Sequence, residues 1–193
     1  MDKQDELDII TRIRGEVQSH KQDTGVNLFL VWGYPTALVF LLMFAALIFW
    51  DQNWCSWAWI GIPLIGAPLM MYFQQKDYER TGHRTHDQNA VTTMWLFIGA
   101  ASAASGFTTG FAHIYVYSYC TLQGLFIGMG CFVTGLVSRF RPMTVCGAIG
   151  AALTFLCPFL QGDLWPWQFL VLVIVTVVAF IIPGHIIRKV AKI

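Results

Sequence analysis

The sequence predicts an all-α polytopic membrane protein of six transmembrane helices, with a cytoplasmic amphipathic helix in front of them. Three observations carry this expectation. Of 193 residues, 56% are hydrophobic and only 12% are charged. Soluble domains carry about 25% charged residues, so this chain lacks the charge to cover a globule in water. Mean hydropathy is +0.57. Finally, six stretches contain no Asp, Glu, Lys or Arg and are each close to the ~20 residues that cross a hydrocarbon core about 30 Å thick. The net charge of +1 excludes nucleic acid as a partner, because it provides no basic field to collect phosphates.

Residues 1–25 form a charged cytoplasmic segment. Within it, Ile9, Ile10, Ile13 and Val17 share one arc at the helical period, flanked by Arg14 and Lys21. Such a helix lies on the inner membrane surface, or docks its stripe on another protein or on a second copy of the chain. Six acids in this segment and the lack of a small-residue cleavage site exclude a cleavable signal, so the first span is expected to be a permanent anchor.

The bundle occupies residues 26–187, with spans at 26–49, 54–73, 91–111, 116–137, 142–160 and 165–187. A basic cytoplasmic tail covers 188–193. Lys and Arg place the inner side. All twelve lie in the segments before span one, between spans two and three, between four and five, and after six. The four-residue loop 138–141 is as short as the opposite loops, yet holds Arg139 and Arg141. Both ends of the chain are therefore expected in the cytoplasm. Nine of the eleven acids fall on the same side, Asp51 and Asp163 being the exceptions. Trp50, Trp54, Trp57, Trp59, Trp165 and Trp167 cluster at the outer ends, as an interfacial belt requires. A cation-binding aromatic cage is the sharper alternative for them.

Inside the bundle, small residues crowd span three from Gly99 to Gly110 and recur in span four as Gly124, Gly128 and Gly130. Helices in lipid associate through close contact of such residues. With the turn centred between His113 and Ile114, Gly99 matches Gly128 in depth and Ala103 matches Gly124. This predicts a tight crossing of spans three and four at those four residues. Gln123 is a primary amide in hydrocarbon and needs partners. Ser105 lies near its depth, with Ser102 and Thr108 also in the hairpin. An interhelical hydrogen bond is the plain role for Gln123 and Ser105; a ligand contact is the alternative.

Pro35, Pro63, Pro68, Pro142, Pro158 and Pro183 each disturb a helix or mark its end. Pro63 and Pro68 in span two, with Pro158 in span five, would correspond in an inverted-repeat transporter, although the halves show no alignable repeat. Pro183-Gly184-His185 reads as a helix stop or kink at the inner interface; a pH-sensitive hinge is the alternative.

Catalytic chemistry is missing. No ionisable group lies at depth, and no Ser-His-Asp order, His-Glu-x-x-His, Walker loop or dinucleotide fingerprint is present, so an enzyme is not expected. His83-x-x-His86-Asp87 has metal-like spacing but needs a third ligand, for which Asp77 and His20 are the candidates; a solvated loop is the plain reading, and no metal or cofactor is expected. His113, with Asp51 and Asp163, is a weak ligand-binding candidate on the outer face. The five cysteines, one in span two and two each in spans four and five, read as free structural thiols, though a disulfide among Cys55, Cys120 and Cys157 is open.

Three stretches carry a resemblance: Glu6-Leu-Asp-Ile-Ile with Leu30-Val-Trp-Gly-Tyr, Val133-Thr-Gly-Leu-Val-Ser-Arg-Phe-Arg-Pro142, and Phe180-Ile-Ile-Pro-Gly-His-Ile-Ile-Arg188. In these the chain resembles an uncharacterised family of small bacterial multipass (six-helix) inner-membrane proteins. The resemblance implies a bacterial inner-membrane location and no catalytic residue. The expected role is a non-enzymatic interaction or signalling component, with the lipid bilayer and either a second copy or a cytoplasmic protein as partners. A small transporter or channel for an uncharged or amphipathic solute is the alternative, and an enzyme acting on lipid at the inner interface ranks third.

Overall fold

The computed structural model describes residues 29–49, 68, 71–72, 75, 86–112 and 116–190. The N-terminal segment, nearly all of the expected second span, His113 and Cys55 lie outside the described residues. So do the loop residues around His83. Among the described residues every regular element is helical and there is no strand.

Helix α1 runs from Phe29 to Phe49. Helix α2 spans His86–Ala112 and contains the whole of the expected third span. Helix α3 covers Val116–Val137. Helix α4 covers Arg141–Leu153 and continues as a 3₁₀ helix over Thr154–Phe159. After a short 3₁₀ turn at Gly162–Leu164, α5 (Trp167–Thr176) runs through a π-helical stretch at Val177–Ile181 into α6, Ile182–Val190.

Among the described residues four helices are long and apolar enough to cross a membrane: Phe29–Phe49, Tyr119–Val137, Arg141–Phe159 and Gly162–Lys189. Each matches an expected span to within a few residues. Helix α2, at 27 residues, has the length as well.

The α3–α4 connection is tight for a specific reason. Phe140 N–H donates to Gly135 O at 2.9 Å and Arg139 N–H to Leu136 O at 3.1 Å, the pair of bonds that closes a Schellman motif. Arg139 holds the left-handed position, with φ 54°, where glycine is the usual occupant. Pro142 then sits in the first turn of α4, where its missing N–H costs nothing.

Two apolar clusters hold the helices. One gathers Phe29, Cys131, Met143, Ala179, Phe180 and Ile187; the other gathers Phe40, Met43, Leu47, Cys120, Cys157, Phe169 and Leu172. Outside them, large apolar side chains face outward all round: Leu38, Leu41, Leu42 and Phe49 on α1, Leu96 and Phe97 on α2, and Phe155, Leu156 and Phe159 at the end of α4 are exposed. On a soluble monomer such a surface would aggregate; in a bilayer it is the solvated face.

Candidate functional site

Gln123 is the polar centre of the α2–α3 hairpin. It is 6% exposed, and every arm of its amide is engaged. Ser102 Oγ donates to Gln123 Oε1. Gln123 Nε2 donates to Ser102 O at 3.2 Å and to Ser105 Oγ at 3.0 Å, while Ser105 Oγ donates to Ser102 O at 2.8 Å. The structure therefore brings Gln123 and Ser105 together as expected, in an interhelical hydrogen-bond node. Such bonds tie helices together where water cannot compete. Below the node the same face of α3 meets α2 again, with Trp95 Nε1 donating to Thr134 Oγ1 at 3.1 Å. Gly130 leaves room for the Trp95 ring, since a Cβ there would stand 2.7 Å from Cη2.

The expected glycine contact is corrected. Gly99 and Ala103 are exposed, and a Cβ on Gly99 would meet nothing within 4 Å. Gly124 and Gly128 pack on α4 instead. A Cβ on Gly128 would clash with the Ala151 backbone nitrogen and stand 2.7 Å from Ala151 Cα and 2.8 Å from its Cβ; one on Gly124 would collide with Thr154. Gly135 meets Thr144 and Gly147 meets Phe132 in the same way. The tight seam is thus α3 on α4, the most intimate helix pair among the described residues. The physical reason is rotation. At about 100° per residue, Gln123, Ile127, Gly130 and Thr134 share one narrow face, and Cys120, Gly124, Gly128, Cys131 and Gly135 share another about 90° round the helix. Turning Gln123 toward its serines on α2 turns the glycine face toward α4.

Pro183, Gly184 and His185 do not stop the helix, which runs on to Val190. Pro183 has no N–H for the carbonyl of Ala179, four residues back, and its ring crowds that carbonyl. The π-helical stretch Val177–Ile181 absorbs the misfit, and Cys131 Sγ on α3 donates to Ala179 O at 2.7 Å. Gly184 permits close approach to α1, where a Cβ would stand 2.8 Å from Leu30 Cδ2. His185 is exposed, and its Nε2 lies 2.8 Å from the Tyr34 hydroxyl, joining the two ends of the described bundle.

Gln168 escapes the sequence expectations, although the rule that marks Gln123, an amide within an uncharged span, marks it equally. It is fully buried. Its Nε2 donates to Leu160 O at 2.7 Å, capping the carbonyl left by the 3₁₀ turn, while its Oε1 is buried without a partner among the described residues. Thr134, Thr154 and Thr176 return their hydroxyls to carbonyls of their own helices. The four described cysteines, Cys120, Cys131, Cys146 and Cys157, are free. No group of three metal-ligating side chains forms among the described residues.

The sequence matches no family model, and no curated protein or solved structure matches it.

Proposed function

We propose that the chain is a six-span bundle of the bacterial inner membrane, both ends cytoplasmic, that acts as a non-enzymatic interaction or signalling component. The observation that carries this reading is the closure of the bundle on itself. Gln123, the most demanding polar group of the hairpin, spends its hydrogen bonds on Ser102 and Ser105, and the glycine seam leaves no room between α3 and α4. What polar chemistry remains lies mainly in the segments around 1–25, 74–90, 138–141 and 188–193, which hold all twelve basic residues. The amphipathic stripe of Ile9, Ile10, Ile13 and Val17 supplies the docking element, toward lipid, a second copy or a cytoplasmic protein. The bacterial inner-membrane part of this reading rests on the resemblance carried by stretches such as Val133–Pro142 and Phe180–Arg188.

The test is purification in mild detergent with light scattering and mass spectrometry, comparing the full chain with one lacking residues 1–25. A second copy or a stoichiometric partner that is lost with the deletion supports the reading. A full chain that is monomeric and alone refutes the interaction role and leaves the stripe to lipid.

One observation favours the second reading, a small transporter for an uncharged or amphipathic solute. Proline loosens two spans, into 3₁₀ geometry at Pro158 and π geometry ahead of Pro183, and Gln168 Oε1 offers an unused acceptor in that half of the bundle. Solute flux into proteoliposomes that falls in Gln168→Leu would support it; vesicles as tight as protein-free ones would not.

A further inference from the structure

The α3–α4 seam has a regular register. Gly135 meets Thr144, Phe132 meets Gly147, Gly128 meets Ala151 and Gly124 meets Thr154. Each step of about one turn back along α3 is matched by about one turn forward along α4. One further step takes Gly124 to Cys120 and Thr154 to Cys157. Both cysteines are fully buried, both are free thiols, and both belong to the same apolar cluster. Cys131, by contrast, spends its S–H on Ala179 O.

A disulfide needs Cα atoms about 4.4–6.8 Å apart. At Gly128, Gly135 and Gly147 a single methyl would overlap the facing backbone, and at Gly124, one turn from Cys120, it would overlap the Thr154 side chain, so the two helices run at close range up to the pair. Cys157 also has the freedom to adjust. It lies in the 3₁₀ extension of α4, where hydrogen-bond geometry is poorer, and Pro158 beside it removes another backbone donor.

We propose that Cys120 and Cys157 form a reversible dithiol–disulfide pair whose oxidant is a lipid-soluble quinone. Burial means that any oxidant reaches the sulfurs only when the packing opens locally, and the side on which it can open is lipid rather than water. Behind Cys157, Phe155, Leu156 and Phe159 are exposed and form an outward apolar wall, so a ring dissolved in the bilayer approaches within a residue of the pair. The chemistry balances as a two-electron exchange. Two S–H bonds break and one S–S bond forms; the two electrons and two protons pass to the quinone, which leaves as the quinol. The disulfide would lock the outer end of the seam, and reduction would release it. This rests on the membrane placement of the bundle and is independent of its partners; retention of the chain in carbonate-washed vesicles checks that placement separately.

The test uses the reduced full chain in lipid nanodiscs, incubated without oxygen with a short-chain benzoquinone. Thiols are counted after denaturation by maleimide mass tagging, and linked peptides are mapped. The expected result is a fall from five tagged thiols to three, one quinol formed per chain, and a linked peptide joining Cys120 to Cys157. Cys120→Ser and Cys157→Ser should each abolish the link, and Cys146→Ser should leave it. The wild-type peptide map decides the matter even if a serine variant fails to fold. Five tags after oxidation, a bond to another cysteine, or a quinone–cysteine thioether would overturn the proposal. Closure by diamide but not by the quinone would overturn the assigned oxidant.

Discussion

Replacing Gly128 with alanine places a methyl group against Ala151, where it overlaps the backbone nitrogen and stands 2.7 Å from Cα and 2.8 Å from Cβ. None of these atoms is the far end of a flexible side chain, so α3 and α4 must move apart. Overpacking of this kind costs about 1–3 kcal/mol, and a rigid backbone neighbour puts this site near 3. Alanine's better helix propensity returns about 1 kcal/mol. The net loss is about 2 kcal/mol. Gly99→Ala is the matched control, because its methyl meets nothing within 4 Å; it should be neutral or gain up to about 1 kcal/mol. The assay is reversible unfolding in mixed micelles by an SDS titration, followed by tryptophan fluorescence. If Gly128→Ala is as stable as the parent, or if Gly99→Ala is the more damaging of the two, the seam is not between α3 and α4 and the reasoning fails.

Gln123→Leu removes the bonds to Ser102 and Ser105 and should cost about 1–2 kcal/mol in the same titration, without changing any partner captured through residues 1–25. Loss of a bound solute instead would make Gln123 a ligand contact. Cys131→Ala should cost about 1 kcal/mol, but less in a Pro183→Ala background, where position 183 regains an N–H for the Ala179 carbonyl; additivity of the two would deny their coupling. Tyr34→Phe breaks an exposed bond to His185 and should move stability by no more than about 0.5 kcal/mol. Arg139→Gly relieves the left-handed position and should raise stability by about 1 kcal/mol; a loss would mean the guanidinium contributes more than the strain costs.

Hydropathy made the helices legible, since an uncharged run of the right length has few alternatives in lipid. The spans at 26–49, 116–137, 142–160 and 165–187 correspond to the four apolar helices. Depth was legible too: the turn near His113 fixes which residues of α2 and α3 lie level, and Gln123 meets Ser102 and Ser105 accordingly. Rotation about the helix axis was not. Small residues mark a close contact without naming the neighbour, and α3 has α2 on one side and α4 on another. The consequence of Pro183 was likewise hidden. A proline announces an orphaned carbonyl, but only the packing of α3 shows that Cys131 answers it and lets the helix continue. Gln168 was readable from its composition alone, whereas its unpartnered oxygen depends on the Leu160 carbonyl capturing the other end of the amide.

The claim on which the rest depends is the six-span arrangement with both ends of the chain on the cytoplasmic side. Paired reporter fusions test it most directly, using a fluorescent protein that matures only in the cytoplasm and a phosphatase active only outside it. The account predicts fluorescence for fusions at residues 82, 139 and 193 and phosphatase activity at 52, 114 and 162. Phosphatase activity at residue 193 would contradict it, as would fluorescence at 162, because either requires an odd number of crossings or the opposite orientation.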